Sequence, residues 1–243
     1  MRKVSKKSKS VLTVFCILLS IVGKSHESKD SRPVKKDNIE RVRVDLYYET
    51  LCPFCRNFIV NNLPLLFNTD LSAIAELSLF PWGNAFTNSY GNIICQHGEE
   101  ECHLNAIHAC VINLWPQPEQ HFKFIYCVER TLSTRSATSR VWEGCARGLG
   151  LSVVAIQNCY SSRQGRELLL RNQITTSSLN PPQRFVPWVV VNGSPLEEDY
   201  LNDVRYICRA VDGNKPSLCH NLPKFVSGDA LHTHVCFKND SCG

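Results

Sequence analysis

Cys52-Pro53-Phe54-Cys55 holds the residues of this chain best suited to chemistry. Two sulfurs three positions apart can reduce a disulfide in two steps. One attacks to form a mixed disulfide, and the other then attacks the first and releases the reduced product. Upstream, Val42, Val44, Leu46 and Tyr48 alternate as a strand does, and downstream Phe58, Ile59 and Leu63 fall at helical spacing. The pair therefore sits in a tight turn between strand and helix. Pro53 suits the first helical position, where its missing N–H costs nothing, so Cys52 falls at or just before the helix N-terminus and Cys55 within the first turn. Unpaired amides and the positive end of the helix dipole favour Cys52 as the thiolate. Cys52 is then the nucleophile and Cys55 the resolving thiol.

Two plainer readings of the pair compete with this one. Half of a zinc site needs a second Cys-x-x-Cys or a close His pair, and the sequence has no other Cys-x-x-Cys. An inert cystine has no need of a strand-to-helix turn with Pro between its sulfurs. Nothing in the sequence asks for a metal or an organic cofactor.

The elements that must position the pair follow in order. Ile74 to Phe80 alternates as a second strand, so strand, helix and strand make a βαβ unit with a parallel sheet, and Pro64 ends or kinks the helix. From Pro81 the pattern becomes turn-rich. Helices are expected from about His103 to Leu114, near Glu119–Leu132, Ser139–Leu149 and Val153–Cys159, and from Gly165 to Gln173. This forms a mostly helical, cysteine-rich insertion over about 81–175. The sheet resumes at Arg184 to Val191, Asn192-Gly193 signals a hairpin, a partner strand begins near Ser194–Leu196, and a last helix runs from about Asp199 to Ala210. Pro187 interrupts a strand, which alone suits an edge or bulge. After a Cys-x-x-Cys turn and before a hairpin, it also occupies the place where thioredoxin-like folds put a cis-proline beside the active cysteines. Val186 and Pro187 are thus expected to leave backbone groups free for an extended substrate strand.

Composition constrains the setting. Arg2, Lys3, Lys6, Lys7 and Lys9 precede a twelve-residue apolar run, Val11 to Val22, and Gly23 offers a small residue for cleavage, so residues 1–23 read as a signal peptide. Twelve residues are too few to span a bilayer, which takes about 20. The chain holds 27 Lys plus Arg against 22 Asp plus Glu, and the whole excess lies in those first residues. The remainder is near neutral, which removes the charge argument for nucleic acid. Residues 24–40 are a polar lead-in, and no membrane contact is expected once the signal is gone. Beyond Cys16, twelve cysteines remain, an even number that suits one redox pair and up to five structural bridges of open connectivity.

Cys95 to Cys110 reads CQHGEEECHLNAIHAC. It resembles the signature of the gamma-interferon-inducible lysosomal thiol reductase family, matched at Cys95, Gln96, His97, Gly98, Glu101, Cys102, Asn105 and Cys110. The resemblance runs from about Arg41 to Val211 and takes in Cys52, Cys55 and Phe185-Val186-Pro187-Trp188. It implies an α/β, thioredoxin-like fold with a helical insertion over 41–213, and reduction of protein disulfides at acidic pH in a lysosome, a vacuole or the extracellular space. It gives the redox role to Cys52 and Cys55 and a structural one to the signature cysteines, with a small thiol or dithiol as electron donor. Cys95 and Cys102 are close enough in sequence for a local bridge. His97, His103 and His108 are unevenly spaced and read as surface or packing residues. At acidic pH an ordinary thiol, with a pKa of about 8.5, is hardly ionised, so the helix N-terminus has to favour the thiolate.

Residues 214–243, with Cys219, Cys236 and Cys242, fall outside the family pattern and read as an irregular tail. Asn192 and Asn239 head the two sequons for N-linked glycans. Two other functions use the same residues: a secretory-pathway oxidase or isomerase, which differs only in redox potential, and a disulfide-stapled peptide-binding protein without turnover.

Overall fold

A computed structural model of the chain describes residues 41–134, 140–226, 234–238 and 242. The expected signal peptide and lead-in, and Asn239, lie outside the described residues. Strand β1 (Val42–Tyr48) pairs in parallel with β2 (Ala75–Pro81), in the register Val42 to Ala75 and Tyr48 to Pro81. Between them run helix α1 (Pro53–Asn61), helix α2 (Pro64–Asn68) and a 3₁₀ turn, Asp70–Ala73. Pro64 ends the first helix by opening the second, the position where a proline loses no hydrogen bond.

On the other side of β1 lies β6 (Trp188–Val191), antiparallel, and Asn192-Gly193 turns it into β7 (Ser194–Pro195). Both residues of that turn have positive φ, as a two-residue hairpin of this kind requires. The sheet order is β2-β1-β6-β7. Val44, Leu46, Tyr48, Val189 and Trp188 are buried in it, and Phe58, Ile59 and Leu63 from the first helix pack into the same core. The continuous apolar run Trp188–Val191 of β6, buried throughout, is what a strand covered on both faces needs.

Between β2 and the second half of the sheet come two short strands, β3 (Phe86–Thr87) and β4 (Ile93–Ile94), and five helices. These helices are α3 (Glu99–Leu114), α4 (Pro118–Thr134), α5 (Val141–Gly148), α6 (Val153–Tyr160) and α7 (Arg163–Ser177). The signature helix begins four residues before the expected His103. Glu99, Glu100 and Glu101 fill its first turn, where negative charge complements the helix dipole. Cys110–Cys159 ties α3 to α6, and Cys127–Cys145 ties α4 to α5.

Three expectations change after Asn180. The run from Arg184 to Val191 is two strands and not one, because Pro187 has no N–H for a ladder. Strand β5 (Phe185–Val186) leaves the main sheet and pairs with β8 (Cys236–Phe237) from the tail. The last helix of the domain starts later than Asp199: a 3₁₀ turn covers Glu197–Asn202, and α8 is Asp203–Ala210. The tail, expected to be irregular, carries helix α9 (Ser217–His220), bound to α8 by Cys208–Cys219, besides strand β8. No helix among the described residues is long and apolar enough to cross a membrane.

Candidate active site

Cys52 is the N-cap of α1, and its Sγ accepts the backbone N–H of Cys55 at 3.4 Å. Leu51, with φ of 56°, takes the left-handed conformation that turns the chain from β1 into the helix. Thr50 is pinned from the signature helix: Asn105 Oδ1 accepts its N–H at 2.9 Å, and its hydroxyl donates to the Glu101 carbonyl at 3.2 Å. Two signature residues thus hold the loop that presents Cys52. The other ten described cysteines are paired, including Cys95–Cys102 and Cys110–Cys159 from the signature, and the two free ones are Cys52 and Cys55. Both are buried. Burial keeps the Cys55 thiol protonated, well above the usual thiol range, and the neighbouring Cys52 sulfur pushes the same way.

The structure brings to this dithiol a carboxyl that sequence reasoning passed over. Glu49 directly follows β1, is fully buried, and is held well above the ordinary carboxylate range by desolvation, with the Glu101 charge adding to the rise. The Asn84 N–H donates to its Oε2 at 2.7 Å and opposes that rise. Gly83, with φ of 60°, lies so close to the Glu49 side chain that a Cβ there would collide with it. The one signal available was a carboxyl side chain placed directly after the strand and three residues before Cys52.

His97 is a correction. Expected at the surface or in packing, it instead puts Nδ1 in a short hydrogen bond with Glu101 Oε2 and 3.6 Å from Glu49 Oε1. Its neighbours on α3 keep to packing. His108 is buried against Tyr48, whose hydroxyl lies 3.1 Å from its Nδ1, and burial pushes its pKa down to about 3. His103 packs edge-on to Tyr160. Below the helix of the dithiol, Glu129 is buried and raised to about 8. The Arg56 guanidinium, its Nε 3.6 Å away and beyond hydrogen-bond distance, opposes that rise by its charge without cancelling it.

Gln96 and Asn84 face the groove beside Pro187. The Val186–Pro187 peptide is cis, and β5, immediately before it, runs antiparallel to β8 with Phe185 opposite Phe237 and Val186 opposite Cys236. Asn84 Nδ2 donates to the Cys236 carbonyl at 3.0 Å and to Gln96 Oε1 at 2.6 Å, and Gln96 Nε2 donates to the Phe237 carbonyl at 2.7 Å. The backbone groups expected to receive a substrate strand are met by the chain's own tail. Cys236, bonded to Cys242, lies with its Sγ 2.9 Å from Cys52 Sγ. Glu49, His97, Cys236 and Cys242 converge closely, but the two sulfurs are bonded to each other, which leaves a metal one imidazole and one carboxylate. Away from the site, Asn192 sits in the hairpin turn at the opposite end of β1, exposed, with its Oδ1 accepting the Arg43 N–H at 2.7 Å.

A dithiol at a helix N-terminus, a neutral carboxyl behind it and a strand-binding edge beside it can exchange disulfides with an extended peptide. Comparison with known proteins agrees. Residues 43–149 match the family model described as gamma interferon inducible lysosomal thiol reductase. The chain is 40% identical over 186 residues to a gamma-interferon-responsive lysosomal thiol protein of Arabidopsis thaliana, covering 74% of this chain and 76% of that one. It is 34% identical over 187 residues to the gamma-interferon-inducible lysosomal thiol reductase of Mus musculus, covering 74% and 73%. Among solved structures, DsbA of Chlamydia trachomatis superposes with a TM-score of 0.51 at 19% identity, over 72% of this chain and 91% of that one. That likeness shows a thioredoxin-like fold.

Proposed function

The chain belongs to the gamma-interferon-inducible lysosomal thiol reductase family, and for this oxidoreductase acting on sulfur groups we propose reduction of protein disulfides by Cys52 attack and Cys55 resolution. The observation that carries the reading is the division of the described cysteines: ten are paired, and the two left as thiols are the pair at the helix N-terminus. Cys52 Sγ attacks one sulfur of a substrate cystine, and the Cys55 amide donates to the attacking sulfur. Cys55, protonated until it loses its proton during the second step, then attacks Cys52 and frees the substrate as a dithiol. Val186, with its backbone beside Pro187, holds the substrate as an added strand.

Acidic operation suits the charges around the pair. Below its raised pKa Glu49 is neutral and does not oppose negative charge on Cys52, whereas its ionisation as pH rises puts a like charge beside that sulfur. The same reading includes entry to the secretory pathway through residues 1–23, glycans at Asn192 and Asn239, a lysosomal, vacuolar or extracellular destination, and a small thiol or dithiol as donor.

A pH series of insulin-disulfide reduction by the purified chain, with Cys52→Ser alongside, tests the reading. Reduction that persists near pH 5, well below the ordinary thiol pKa of about 8.5, and is abolished in the variant is the expected result. Full activity without Cys52 would sink the assignment of the nucleophile, and activity confined to neutral pH would sink the acidic setting. Glu49→Gln is expected to weaken the decline in rate on the alkaline side.

A further inference from the structure

We propose that the Cys236–Cys242 disulfide is a second redox centre, an internal substrate that strand β8 delivers to Cys52. The inference rests on the reading of Cys52 as the nucleophile. Strand β8 lies where a substrate strand belongs, paired with β5 next to Pro187. Its backbone is bound as a ligand's would be: Asn84 donates to the Cys236 carbonyl, Gln96 to the Phe237 carbonyl, and the Tyr200 hydroxyl to the His234 carbonyl at 2.7 Å. Side chains grip it from both sides, with Phe54 edge-on to His234 and Phe185 edge-on to Phe237. The hydrogen bonds bring one sulfur of a cystine to within 2.9 Å of Cys52, and both sulfurs are closed off from solvent, Cys52 at 0% exposure and Cys236 at 1%. Cys110–Cys159, Cys127–Cys145 and Cys208–Cys219 each join two helices, which is what a bridge placed for stability does. Cys236–Cys242, like Cys95–Cys102, joins no two described helices or strands, and what sets it apart is the thiol it faces.

The exchange balances within the chain. Cys52 Sγ, as thiolate, bonds to Cys236 Sγ while the Cys236–Cys242 bond breaks, and Cys242 leaves as a thiolate and takes up a proton. Cys55 Sγ then loses its proton and bonds to Cys52 Sγ, and Cys236 leaves as a thiolate and is protonated. Two electrons pass from the Cys52/Cys55 dithiol to the tail cystine, and the dithiol's two protons are matched by the two taken up on the tail. Run backwards, the same steps carry electrons from a reduced tail into an oxidised Cys52–Cys55 pair. The tail is therefore able to store one pair of electrons for the active site and competes with external cystines for the groove.

Cys55→Ser in the full chain stops the sequence after the first step. After acid quenching, alkylation and digestion without reductant, mass spectrometry is expected to find Cys52 linked to Cys236 and Cys242 carrying the alkyl group. Cys236 still linked to Cys242, with Cys52 alkylated, would overturn the proposal. The same variant offered insulin separates the two ideas. An insulin adduct on Cys52 with the tail cystine intact overturns this proposal and leaves the nucleophile assignment standing, whereas absence of both links overturns both. Should Cys55→Ser fail to fold, the wild type treated with limiting dithiothreitol provides the reading. Labelling of Cys236 and Cys242 is expected to be at least about tenfold faster than in Cys52→Ala, since exchange through Cys52 is the route, and equal rates would overturn it.

Discussion

Two disulfides of nearly equal span flank the dithiol, Cys95–Cys102 with a separation of seven residues and Cys236–Cys242 with six. Chain entropy treats such short loops alike, at roughly 2–3 kcal/mol each. Their surroundings are unlike. The first closes the loop that carries Gln96 and His97 into the site, where Gln96 holds a backbone carbonyl and His97 lies between the Glu101 and Glu49 side chains. The second rests against Cys52 Sγ, the sulfur proposed to attack. On the proposal made above, position relative to a thiol, more than loop length, divides a fastener from a reactant.

Limiting reductant should expose that division most strongly. Cys236 and Cys242 are expected to label about 100-fold sooner than Cys95 and Cys102, because thiol–disulfide exchange needs an attacking sulfur within reach, and alkylation timed by mass spectrometry checks it. Removing bridges gives the converse. Cys110→Ala with Cys159→Ala opens a separation of 49 residues and should cost about 4 kcal/mol by denaturant titration, against roughly 2–3 for Cys95→Ala with Cys102→Ala. Equal losses would show that loop length does not govern the fasteners. Next comes Asn105→Ala, which leaves the buried Thr50 N–H without its acceptor and should cost about 1–3 kcal/mol. It should also slow insulin reduction, since the loop presenting Cys52 loses its clamp.

Protons act on the fold as a whole. Glu129, raised to about 8, and Asp203, raised to about 7 by burial, are protonated in the folded chain at pH values where the unfolded chain has released those protons. Stability therefore falls as pH rises from about 4 toward 8, by about 1.4 kcal/mol per pH unit for each extra proton held. His108, neutral when folded down to about 3, has the opposite sign below the ordinary histidine value and offsets one such proton there. The melting temperature is expected to be higher at pH 5 than at pH 7.5, and Glu129→Gln should flatten the difference.

The parts of this site that were legible in the sequence are those whose signal is local. Cys52, Pro53 and Cys55 announce a helix N-terminus within four residues, and Asn192-Gly193 announces its own hairpin. Pro187 marked a break in a strand, though not that the two halves would find different partners. Glu49 was illegible as a buried carboxyl because Gly83 and Asn84, which enclose it, come from a turn-rich stretch with no periodicity. Gln96 was visible as a signature residue, but its work is done on Phe237, 141 positions away. His97 failed for a similar reason, since one of its two carboxyl neighbours stands at Glu49, far away in sequence and directly after the first strand. Side-chain pairs across such distances leave no spacing to read in one sequence.

Tethering gives strand β8 an advantage that no free peptide has. A ligand held on the same chain presents itself at an effective concentration on the order of millimolar. An incoming protein meets a groove that is vacant for only a fraction of the time, and its apparent affinity is divided by that fraction, so a groove open about 1% of the time weakens binding about 100-fold. The Michaelis constant for external cystines is then set as much by how firmly Asn84, Gln96 and Tyr200 grip the tail as by any contact made with the substrate itself.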